Sequence, residues 1–169
     1  MFDRILDLLM PGDAPRAAME VPVAVAALLV EAARMDDRFD PAERTAIRRL
    51  LGQRFDLDAA AIDRLIDAAE RAVEGSSALY RFTRVVAERF DPAARISMIE
   101  MLWEVAYADG VLDPEEDALI RRIAGLIFVE DHERGAARRR VLARLGQGPG
   151  HEPEAGQRPG QGSKRGPWG

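Results

Sequence analysis

A duplicated acidic loop constrains this chain more than any other feature. Shifting the numbering by 73 lays Glu31, Asp36, Asp40, Pro41 and Glu43 on Glu104, Asp109, Asp113, Pro114 and Glu116. The bulky apolar residue before the second Asp coincides as well (Phe39, Leu112), and Ile47-Arg48-Arg49-Leu50 falls on Ile120-Arg121-Arg122-Ile123. Such repeats set an architecture, because one unit alone cannot bury its apolar face. The chain therefore reads as two copies of helix, acidic loop, helix, over residues 22–54 and 92–129.

The rest of the chain supports an all-α fold: a bundle of about seven helices with a pseudo-two-fold internal repeat. Residues 2–10 place Phe2, Ile5, Leu6, Leu9 and Met10 on one helical stripe, which Pro11-Gly12 stops. That segment, residues 1–12, docks on the core or anchors to a membrane surface or a partner; a single arginine, Arg4, gives anionic lipid little to attract. The next helix is expected to start near Pro22 and run to Asp36, apolar nearly all round and so centrally buried. Further helices are expected from Pro41 to Arg54, after Asp58 to Gly75, from Ser76 or Ser77 to Phe90, from Pro92 onwards, from Pro114 to Val129, and over 132–145. The arginines of the last (Arg138, Arg139, Arg140, Arg144) read as a solvated face. Residues 13–145 make up the helical domain, while half of 146–169 is Gly and Pro, a composition that cannot offset the entropy of ordering.

Composition narrows the function. The net charge of -5 is modest and mixed in sign, which argues against nucleic acid. The lack of cysteine removes disulfides, thiolate zinc sites and a Cys nucleophile together. The two histidines, His132 and His151, support no triad, and neither a P-loop nor a Glu-x-x-His di-iron pattern is present. The longest apolar run, Val21–Val30, has about half the length that a bilayer requires. Asp3 and Asp7 interrupt the N-terminus, so it does not read as a signal peptide. The expectation is a cytoplasmic protein, not an enzyme, with no transmembrane segment.

Helix chemistry explains much of the acidic motifs. Asp40 and Asp113 suit N-caps, Pro41 and Pro114 the first turn, and Glu43 and Glu116 the position that reaches back to the cap amide; Gly110 suits a left-handed residue. Caps leave over Asp36 and Asp109, expected in the last turn of a central helix where the macrodipole disfavours a carboxylate. They also leave over Glu31 and Glu104, on largely apolar helices where a carboxylate must be paired or bind a cation. A hard divalent cation (calcium, magnesium or manganese) would answer both, held by Asp109, Asp113 and Glu116 in the second loop. Asp36, Asp40 and Glu43 form the weaker first-loop set, with Glu31 and Glu104 as further candidates. In the first loop Asp37 and Arg38 replace Gly110 and Val111, so a guanidinium could stand in for the ion. Caps alone and caps plus a cation both stay open; a hydrolase using paired carboxylates is the remaining idea.

Ala-Asp-Gly-Val-Leu-Asp-Pro-Glu-Glu between helices, repeated as Met-Asp-Asp-Arg-Phe-Asp-Pro-Ala-Glu, resembles the tellurite-resistance TerB-like family over about residues 20–145. The opening Met-Phe-Asp-Arg-Ile-Leu-Asp-Leu-Leu is similar to the start of many bacterial members. The resemblance implies about seven helices, acidic residues that bind a divalent metal, no organic cofactor, and a non-enzymatic role in stress or tellurite resistance. It also implies a protein partner, often in a complex peripheral to the inner membrane. A similar domain occurs in a membrane-anchored J-domain co-chaperone, but the His-Pro-Asp of that activity is missing here. A structural interaction scaffold is the alternative, since function lives in sites rather than in folds.

Overall fold

A computed structural model describes residues 16–34, 39–75 and 77–146. Seven helices occupy them: α1 (Arg16–Ala33), α2 (Pro41–Phe55), α3 (Ala59–Ala72), α4 (Ala78–Arg89), α5 (Pro92–Ala106), α6 (Pro114–Leu126) and α7 (Asp131–Arg144). No strand occurs among the described residues. The expected stripe at 2–10 and the tail beyond Gly146 lie outside them.

Local chemistry explains most boundaries. Asp58 and Asp91 cap α3 and α5, each accepting from an amide three residues on (Ala61 N and Ala94 N, both 2.8 Å). Some boundaries differ from expectation. α1 begins six residues before Pro22, which sits inside the helix. The run Arg16-Ala17-Ala18-Met19-Glu20 consists of strong helix formers, and they carry the helix past one missing proline donor. α6 ends at Leu126 rather than Val129, because Phe128 turns left-handed at φ 62°. Val129 N then donates to Ala124 O and Phe128 N to Gly125 O, the two bonds that close a helix C-terminus in a Schellman motif. The cost is an exposed phenylalanine in a conformation that glycine usually takes.

α1 is the hub. Every residue from Ala24 to Val30 is at most 1% exposed, and the helix packs on α2, α3, α4, α5 and α6. α5 is the second central helix, burying Met98, Ile99, Leu102, Trp103 and Val105 against α1, α2, α6 and α7. An apolar residue on most faces gives each of these helices several neighbours instead of one. α2 and α3 come close at Gly52, where a Cβ would lie 3.1 Å from the Ile62 Cδ1. α2 and α6 each start at an acidic corner, and both lean on the two central helices.

Candidate functional site

The N-termini of α2 and α6 are built alike. Asp40 Oδ1 accepts from Ala42 N at 2.7 Å, and Glu43 Oε2 accepts from Asp40 N at 3.2 Å. In α6, Asp113 Oδ1 accepts from Glu115 N at 2.7 Å, and Glu116 Oε2 accepts from Asp113 N at 3.2 Å. Both are complete capping boxes with Pro at the first turn. Capping glutamates commonly face water, yet Glu43 is 2% and Glu116 3% exposed.

They are buried because they meet. The carboxyl groups of Glu43 and Glu116 are hydrogen-bonded to each other, so the two corners join where α2 and α6 begin. Burial pushes the Glu43 carboxyl up to about 8, against the pull of the Asp40 amide; the negative charges of Glu116 and Asp109 push the same way. The direction of that shift favours a shared proton, one that belongs to the pair rather than to either residue.

Asp109 stands beside this junction in a different setting from the one expected. α5 ends at Ala106, so Asp109 lies beyond the helix, in the turn that continues through Tyr107 and Ala108. Its exposed carboxylate accepts from Val111 N at 2.9 Å, a local turn bond that removes the macrodipole objection. Gly110, at φ 85°, makes the bend. Asp36 and its neighbours Asp37 and Arg38 lie outside the described residues.

The remaining candidates separate. Glu104 accepts from Arg49 Nη2 and from Arg144 Nη2, both at 2.7 Å, so the carboxylate on the apolar helix α5 is paired with guanidinium. One turn earlier, Glu100 accepts from Arg140 Nε at 2.7 Å and Arg144 Nη1 at 2.8 Å. Burial works against the charged form of Glu100, but those two arginines prevail and hold its carboxyl below the ordinary range. Arg138 lies over Trp103 and donates to the Tyr107 hydroxyl. The arginines of α7 are exposed, as expected of a solvated face, and three of them (Arg138, Arg140 and Arg144) also form a seam with the glutamates and aromatics of α5, along which α7 packs. Glu31 is half-buried on α1 with no ion pair among the described residues.

A family model described as tellurite resistance protein TerB matches residues 22–139. The chain belongs to the TerB family. Comparisons with curated proteins and with solved structures found no match. The TerB match takes in all eight carboxylates singled out in the sequence. It stops short of Arg140 and Arg144 and begins after the N-terminal stripe.

Among the described residues of this TerB domain, no three Asp, Glu or His side chains come together as a ready-made ligand set. What the fold assembles is a core of two, Glu43 and Glu116, with Asp109 in electrostatic reach. Asp40 and Asp113 keep one oxygen each in their caps; a carboxylate has a second, so a cap does not exhaust it. The residues present fit a hard cation to that extent. The Glu43–Glu116 contact was not read from the sequence, although both residues were. The available signal was that the two occupy equivalent positions of the acidic motif, 73 residues apart in sequence. No helix among the described residues is long and apolar enough to cross a membrane.

Proposed function

We propose that this chain is a non-catalytic tellurite-resistance-type module that takes a divalent cation where its two acidic corners meet, and docks a protein partner in that state. The observation that carries the reading is the buried contact between Glu43 and Glu116. Two carboxyl groups side by side in the interior need a positive charge between them, and either a proton or a cation supplies it. Oxygen donors alone favour calcium, magnesium or manganese. Glu43 and Glu116 would each offer the oxygen not held by its cap amide, and Asp109 is the next carboxylate to hand. A bound cation supplies charge that neutralises the pair and ties α2 to α6. TerB membership supports the tellurite-resistance setting, and the proposed partner belongs to a complex at the inner face of a membrane.

A second reading, a scaffold whose acidic motifs are only caps, is favoured by one specific observation. Every capping-box bond is made by protein groups, and Asp109 is engaged by Val111 N. Thermal unfolding separates the two. The full chain is stripped with chelator and titrated with calcium, magnesium or manganese at pH 8, near the value at which the Glu43 carboxyl gives up its proton. One ion should raise the midpoint with concentration, worth about 2.7 kcal/mol at a hundredfold excess over Kd. Glu43→Gln and Asp109→Asn should each remove that rise while leaving the chelated midpoint nearly unchanged. Absence of a rise with all three ions rejects the cation and leaves the scaffold.

A further inference from the structure

The helix contacts pair up under the 73-residue shift, with one exception. α1 on α2 has its counterpart in α5 on α6, α1 on α3 in α5 on α7, α2 on α3 in α6 on α7, and α1 on α6 in α5 on α2; α1 on α5 is its own counterpart. The two contacts of α4, with α1 and with α6, have no counterpart among the described residues. Their counterpart would need a helix just before α1, packed on α5 and α2.

The sequence holds a segment in register for that seat. The same shift lays Ile5, Leu6, Leu9 and Met10 on Ala78, Leu79, Phe82 and Thr83. Those four α4 residues face the core: Ala78, Phe82 and Thr83 are buried, and Leu79 is partly buried against the core. Charge agrees as well. Tyr80 accepts from Arg122 Nη2 at 3.0 Å, and the shift turns this pair into Asp7 and Arg49. Arg49 already donates to Glu104, yet its side chain is 48% exposed and a guanidinium carries five N–H donors. Five residues separate Met10 from Arg16, six chain steps that span at most about 22 Å, so the segment stays near the start of α1.

We propose that residues 5–10 are the first half's counterpart of α4, and that they dock through Ile5, Leu6, Leu9 and Met10 on the surface shared by α5 and α2, with Asp7 against Arg49. The repeat is then four helices long in each half. The N-terminal stripe is an internal strap, and a partner presenting a similar amphipathic helix would have to displace it.

The chain has no cysteine, so Asp3→Cys creates a unique site for a spin label without touching the stripe. In the full isotope-labelled chain, the oxidised label should broaden amides of α2 around Arg49 and of the adjoining α5, and reduction should restore them. Adding Leu9→Asp should abolish the broadening while the helical circular dichroism of the rest persists. Broadening elsewhere, none at all, or broadening that survives Leu9→Asp overturns the proposal. So does broadening seen in a mixture of spin-labelled chain at natural abundance and isotope-labelled chain without the spin label, for then a second copy supplies the segment.

Discussion

Glu43 and Glu116 meet carboxyl to carboxyl, whereas Glu100 and Glu104 each face arginines. Both pairs project from helices that also bury apolar residues. Around Glu100 and Glu104 on α5, Arg140 and Arg144 of α7 together with Arg49 of α2 more than offset the negative charge, and the pull on Glu100 is downward. At the junction of α2 and α6 the negative charges of Glu116 and Asp109 add to burial, and the pull on Glu43 is upward. Opposite shifts on side chains of one type show that environment, not residue identity, sets the chemistry. A pair answered by arginine is a finished structural contact; a pair answered by a proton can exchange that proton for another cation.

The largest expected effect separates shape from charge at the junction. Glu43→Ala removes half of a capping box and leaves a void against Glu116, and should cost about 2 kcal/mol in denaturant unfolding. Glu43→Gln keeps the shape, and its amide can donate to Glu116 as the protonated acid does, so it should stay within about 0.5 kcal/mol of the parent at pH 7. If the two variants cost the same, the proton between the carboxyl groups is not what holds the corner together.

The pH dependence should run in opposite directions in the two regions. Glu43 binds its proton more tightly in the native state than in the unfolded chain, where its ordinary value is 4.5. Its contribution is therefore complete below about 4.5, is lost as pH rises towards about 8, and is flat above that. Glu100, held below the ordinary range by Arg140 and Arg144, contributes above the ordinary carboxylate value and loses that contribution as pH falls through its depressed one. Unfolding midpoints measured across pH should show Glu43→Gln flattening the neutral-side decline and Glu100→Gln flattening part of the acid-side decline. A neutral-side decline unchanged by Glu43→Gln would place the responsible group elsewhere.

Much of the fold was legible because helix chemistry is local. Asp40, Asp58, Asp91 and Asp113 all cap where the sequence puts them, and the apolar periodicities of α1 and α5 marked the central helices. The site was legible residue by residue but not as an arrangement. Glu43 and Glu116 are 73 positions apart, and a capping glutamate that turns inwards has the same sequence pattern as one facing water. Glu104 could be read as needing a partner, but choosing between a cation and arginine required knowing that α7 lies along α5. The turn at Phe128 was hidden for another reason. Its left-handed conformation is imposed by the Schellman bonds rather than by the residue's own preference.

The smallest expected effect lies in the arginine seam, and it tests whether that seam is as finished as it looks. Arg144 is the only residue that bridges both Glu100 and Glu104 among the described residues, and its side chain is 48% exposed. Ion pairs whose arginine is this open to solvent contribute roughly 0–1 kcal/mol each and are screened by salt. At roughly half a kcal/mol for each of its two pairs, Arg144→Met should therefore cost about 1 kcal/mol at low ionic strength, and the difference from the parent should shrink in 1 M salt, where the screening length falls to about 3 Å. The junction should respond differently, because Glu43 and Glu116 are buried away from the salt. A cost for Arg144→Met that persists in 1 M salt would show that the arginine acts by packing its stem along α5, and would weaken the contrast between a charge-matched seam and a proton-matched corner.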